Sequence, residues 1–151
     1  HAERLQCQRG CSACCLDDLT VASVEAERIR RAYPELLQNA APHPVGGCAF
    51  LDSEGACRIY SDRPSVCRSQ GLPLRVFFED EDDEICERRD ICELNLEGGP
   101  ALESLPEESC WLIGPKELRL IAIDEAFAGE DASRVYLRDL FARSPDGQFD
   151  R

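Results

Sequence analysis

The chain predicts an α+β fold, mostly helical, with short β-hairpins and a C-terminal pair of helices. Three observations predict it. Ten cysteines crowd into short nests within 151 residues instead of being spread at free intervals. Helical periodicity recurs near residue 25 and again beyond residue 114. Between them, short aromatic and β-branched runs are set off by Gly, Pro and Asp clusters that read as turns. The length suits a single domain over residues 1–151, with a cysteine-rich region (1–97) and a helical tail (98–151) packed on it.

The first nest is Cys7-Gln8-Arg9-Gly10-Cys11-Ser12-Ala13-Cys14-Cys15, four thiols in nine residues. Its small spacers Gly10, Ser12 and Ala13 let the backbone curl until several sulfurs face one centre, as a thiolate metal site requires. Adjacent Cys14 and Cys15 point to opposite sides of an extended chain and so suit two centres. After the connector Leu16 to Leu19, Thr20 is a candidate N-cap for a helix to about Tyr33. Ala22, Ala26, Ile29 and Tyr33 form its apolar face, read as support for the nest, and Pro34 stops it or begins the next turn. Asn39 to Gly47 is a Pro/Gly-punctuated loop carrying His43, read as a solvent-exposed histidine.

A second nest follows. Ala49 to Asp52, a turn at Ser53-Glu54-Gly55, and Ala56 to Tyr60 predict a hairpin with Cys48 and Cys57 on its arms. Ser61 or Asp62 caps a short helix with Pro64 in its first turn, returning Cys67 to the hairpin. Arg63 and Arg68, either side of Cys67, suit donation to metal-bound sulfur or simple offset of acidic charge. Leu72 to Glu79 predicts a strand, and the acidic run Glu79 to Glu84 a solvated hairpin tip, its glycine-free spacing unlike a calcium loop. Gly98 to Pro106 is a loop, and Cys110 beside Trp111 and Leu112 reads as buried core. Gly114-Pro115 opens a helix to about Ala128 whose apolar residues lie on both sides, predicting burial on both. A second helix, Asp131 to Arg143, carries Tyr136, Leu137, Leu140 and Phe141 on one face. Arg134, Arg138 and Arg143 lie elsewhere on it and offer a basic docking face.

The formal charge of −13 argues against nucleic acid, whose phosphates need a basic stripe, and suits a basic protein partner. No apolar run is long enough to span a membrane, and no signal peptide is evident, so a cytoplasmic location is expected. Nested spacing favours metal chemistry over a disulfide framework.

Cys11-Ser12-Ala13-Cys14-Cys15, then Cys48-Ala49-Phe50-Leu51, Gly55-Ala56-Cys57-Arg58-Ile59-Tyr60-Ser61-Asp62-Arg63-Pro64-Ser65-Val66-Cys67-Arg68 and finally Cys92-Glu93-Leu94-Asn95 resemble the bacterial YkgJ-like cysteine-cluster family, a zinc- or iron-chelating domain. The likeness covers about the first two thirds of the chain. It departs twice: three residues instead of two separate Cys7 from Cys11, and Leu96 stands where an aromatic is usual. The resemblance implies eight ligands: Cys7, Cys11, Cys14, Cys15, Cys48, Cys57, Cys67 and Cys92. Cys86 and Cys110 are left over, with Cys86 an alternative to Cys7 if the altered spacing displaces that ligand.

Cys7-x-x-x-Cys11-x-x-Cys14 also has the spacing of the radical S-adenosylmethionine motif, but no strand precedes it and no strand-helix repeat follows. Hydrolytic triads and phosphate loops find no support either. Two readings stay open. In one, an iron-sulfur cluster serves redox or enzyme-associated chemistry, as in proteins resembling flagellin lysine methylases. In the other, Zn2+ is held by a structural or metal-handling module. Near absence of histidine favours iron-sulfur.

Overall fold

The computed structural model describes residues 3–141. Among the described residues, four α-helices, five short strands and several single 3-10 turns make an α+β architecture. The chain divides into two compact units, each assembled from separate stretches of sequence.

The first unit comprises, of the described residues, 3–8 and 68–120. Its frame is a hairpin of β2 (Leu74–Glu79) and β3 (Ile85–Asp90), paired antiparallel with Phe78 opposite Cys86. The acidic run is indeed the tip between them. Asp80 accepts N–H bonds there from Asp82 and Glu84, while Asp83 takes the left-handed conformation. A two-residue strand, β4 (Trp111–Leu112), adds to β2 in parallel. Cys110 just before it is only half-buried, against the expectation of core, because a two-residue edge strand covers little.

The second unit comprises, of the described residues, 9–67 and 121–141. β1 (Thr20–Ala22) pairs antiparallel with β5 (Arg134–Tyr136) and runs straight into α1 (Ser23–Ala32). Thr20 is therefore a strand residue facing Tyr136 and not a cap. The N-cap position falls on Ala22, which has no side-chain acceptor. Capping comes from elsewhere: Glu25 accepts the Ala22 N–H at 3.3 Å, and Asp124 the Val24 N–H at 2.7 Å. The predicted apolar face holds, with Ala22, Ala26 and Ile29 buried. α2 (Pro34–Asn39) begins at the proline. The second-nest hairpin shrinks to one bridge, Leu51 opposite Cys57, closed by Asp52 accepting from Glu54 and Ala56 N–H groups. α3 (Ser65–Arg68) follows. Phe50, fully buried, stacks obliquely on Phe141 at 4.9 Å in a core that includes Val21, Ile29, Leu51, Ile59, Leu137 and Leu140.

Two expectations for the tail fail. α4 (Pro115–Ala128) forms as predicted, but Leu118, Ile121, Ile123 and Phe127 are all about half exposed or more and Asp124 is its buried residue. Periodicity reads which side of a helix is apolar, not whether a neighbour covers it. In place of the second helix stand β5 and a 3-10 turn at Arg138–Leu140, because Val135 and Tyr136 find a strand partner in β1. Leu137, Leu140 and Phe141 are buried as expected. The proposed basic face is engaged: Arg138 pairs with Asp17 and donates to the carbonyls of His43 and Gly47, and Arg134 donates to Thr20. Arg143 lies outside the described residues. No described helix is long and apolar enough to cross a membrane.

Candidate metal centre

All ten cysteines are free thiols. In the second unit the turn at Ser12–Cys15 is closed by the Cys15 N–H on the Ser12 carbonyl, and the Cys15 carbonyl accepts the Cys48 N–H at 2.9 Å. That bond ties the two nests together across thirty-odd residues of chain. Gly10 and Gly55 let the first nest cross the bridge-closing turn: a Cβ on Gly55 would lie 3.2 Å from the Gly10 carbonyl, and both glycines have positive φ. α3 brings Cys67 to the same place. Its N-terminal Ser65 N–H is held at 2.7 Å by the second oxygen of buried Glu25. Arg28 donates to the Asp62 carbonyl, and Tyr33 Oη donates to Asp62 Oδ2. Sequence reasoning missed Glu25 as an organiser of the site. Its signal was an acid three residues into a helix, which serves at once as a cap and as an anchor for α3.

The outcome is a set of five thiols in which Cys15 and Cys67 each lie within electrostatic reach of Cys14, Cys48 and Cys57. Burial pushes Cys15 up to about 12, with the neighbouring Cys14, Cys48, Cys57 and Cys67 adding to the effect. Cys67 is likewise pushed up to about 12 by burial, then by Cys48 and Cys57. Burial also raises Cys48 and Cys57, but specific contacts pull the other way. The Phe50 N–H points at the Cys48 sulfur and the Ile59 N–H at that of Cys57, and the Arg63 and Arg58 charges favour the Cys57 thiolate. Arg63 is held flat against Tyr60 at 3.8 Å. Such N–H and guanidinium contacts are what metal-bound sulfur uses to disperse charge.

The remaining cysteines lie differently. Cys11 is half-buried just before the Ser12–Cys15 turn. Cys7 and Cys92 belong to the first unit, as do Cys86 and Cys110. The Cys7 sulfur is exposed and touches Asn95 Nδ2 at 3.6 Å. Cys92 is half-buried where the chain enters a 3-10 turn, its carbonyl accepting the Asn95 N–H. Cys86 donates to Asp80 at 3.2 Å, a bond that raises its pKa. The His43 ring lies against Gly47.

Among the described residues no three His, Cys, Asp or Glu side chains converge closely enough to grip a metal ion as they stand. The donor chemistry nevertheless fits a thiophilic metal: five sulfurs share one field, and two of them carry backbone N–H donors. A polypeptide that gathers sulfurs in this way is a cysteine-rich metal-binding protein. The chain belongs to the CxxCxxCC family, described as "Putative zinc- or iron-chelating domain", whose pattern matches residues 6–93. No curated protein and no solved structure matches it significantly.

Proposed function

We propose that the protein carries an iron-sulfur cluster on its cysteine thiolates and serves a redox or enzyme-associated role. The assigned ligands are Cys11, Cys14, Cys15, Cys48, Cys57 and Cys67 in the second unit and Cys7 and Cys92 in the first. The observation that carries the reading is the five-thiol field with N–H donors at Cys48 and Cys57 and guanidinium charge beside Cys57 and Cys67. Hydrogen bonds to sulfur and restricted solvent are the levers by which a protein sets cluster potential. Bound there, a cluster would supply electron transfer. The chain's own part is to hold the sulfurs, offset their charge through Arg63 and Arg58, and exclude water through the Phe50–Phe141 core.

Zinc is the competing occupant, since a tetrathiolate site accepts either metal. Purification without oxygen tests the choice. Brown protein containing iron and matching acid-labile sulfide is expected, because filled-shell zinc gives no visible charge-transfer band. Colourless protein with stoichiometric zinc under those conditions overturns the iron-sulfur reading and favours a zinc-binding module without catalysis.

A further inference from the structure

We infer that Asn95 is the positioning residue of the Cys7 sulfur, so that Cys7, and not Cys86, stands beside Cys92 as a thiol the first unit presents to metal; this rests on the metal-binding reading above. Asn95 is fully buried, and its whole amide is used. Oδ1 accepts the Gln6 N–H at 2.8 Å. Nδ2 donates one proton to the Gly71 carbonyl at 2.8 Å and the other to Cys7 Sγ at 3.6 Å. The amide cannot be turned over, because its oxygen would then face the Gly71 carbonyl and its NH2 the Gln6 N–H. The proton aimed at sulfur is therefore dictated by the other two bonds. It is a weak contact to a thiol and a charge-assisted one to a thiolate.

The surroundings leave Cys7 little freedom. Gly71 has φ +83, and a Cβ there would stand 2.7 Å from the Cys7 sulfur. Buried Arg4 donates to the carbonyls of Asn95 at 3.2 Å, Leu96 at 3.4 Å and Pro100. A Cβ on Gly98 would lie 2.6 Å from the Arg4 carbonyl. The segment 4–7 is thus laced onto 71 and 95–100 while the sulfur itself stays exposed. Cys86, by contrast, spends its S–H on Asp80 in a part-buried bond beside the hairpin tip. The extra residue between Cys7 and Cys11 leaves this lacing intact, because every contact in it lies N-terminal to the insertion or beyond Arg68.

The chain has two asparagines, Asn39 and Asn95, so 15N-asparagine labelling of the full protein gives two side-chain amide groups. Cys7→Ser in metal-free protein is expected to move the Asn95 signals and leave those of Asn39. Zinc(II) is expected to move the Asn95 signals in the wild type and in Cys86→Ser, but not in Cys7→Ser. Asn95→Asp should weaken zinc binding about 10–100-fold, the usual cost of losing a ligand's outer partner, with no further loss when combined with Cys7→Ser. Asn95 signals blind to Cys7→Ser, or a zinc response that survives Cys7→Ser or vanishes in Cys86→Ser, would overturn the inference. Wild-type protein that takes up neither zinc nor iron is the failure of the metal reading itself and removes the ligand role with it. Normal uptake with silent Asn95 signals overturns the present inference alone.

Discussion

The two units hold their thiols by opposite means. In the second, Cys14, Cys15, Cys48, Cys57 and Cys67 are drawn together by packing, with Cys48 only 7% exposed beside Phe50 and Leu51. Removing water favours the uncharged thiol, so Cys15, Cys48, Cys57 and Cys67 hold their protons more firmly until a cation takes the proton's place. In the first, Cys7 stays exposed and accepts one hydrogen bond from a buried amide, while Cys86 is tied to a carboxylate. Packing supplies donors in number but makes them reluctant to ionise. A polar network fixes the place of one donor, Cys7, without burying it.

The sharpest way to break this contrast is to remove one sulfur from the packed set. Cys14→Ser or Cys57→Ser should lose metal and cooperative stability together, by several kcal/mol, because site assembly is part of the folding free energy. Cys110→Ser should change metal content little. Equal metal loss in Cys110→Ser and Cys57→Ser, by elemental analysis, would sink the assignment. Phe50→Ala comes next: emptying a fully buried ring position against Phe141 should cost about 3–5 kcal/mol in urea unfolding of the metal-free protein. A cost below about 1 kcal/mol would mean that packing does not hold this set.

Glu25→Gln is smaller and more selective. One of the two N–H groups that Glu25 serves, Ala22 or Ser65, loses its acceptor, at about 1–3 kcal/mol. Loosened α3 should also speed alkylation of Cys67 relative to Cys92; unchanged relative rates would remove Glu25 from the site. The pH response has a definite sign. In metal-free protein Cys15 and Cys67 keep protons up to about 12 that the unfolded chain gives up near the ordinary thiol value of 9.0. Their contribution is therefore full below that value and is lost as pH rises towards about 12. Metal uptake runs the other way, weakening as pH falls because each bound sulfur must release its proton. Urea midpoints that rose between those two pH values would contradict the buried-thiol account. The least effect is expected of Cys86→Ser, within about 0.5 kcal/mol and with metal content unchanged, since a serine hydroxyl can make the same part-buried bond to Asp80.

Sequence alone made several elements legible. The nests, the short helix returning Cys67, the acidic hairpin tip, α4 and the buried face of α1 follow from spacing, proline and glycine placement and periodicity, which act over a few residues. The α+β class follows from the same local signals, and the run from Cys11 to Asn95 carried the family. Other features lay beyond it. Thr20 looked like a cap and became a strand because Tyr136 is its partner more than a hundred residues away. Arg134-Val135-Tyr136 left the helical pattern for the same reason, and α4 kept its apolar residues uncovered because nothing local says what packs on a helix.

At the site, the sequence determined which residue types are present: ten sulfurs and almost no imidazole. Tertiary structure decided which sulfurs share a field, which carry N–H donors, and that Glu25 and Asn95 are the buried polar residues anchoring Cys67 and Cys7. The reason is physical: ligand chemistry resides in single side chains, whereas thiol acidity and orientation depend on water excluded and bonds made by residues far apart in sequence.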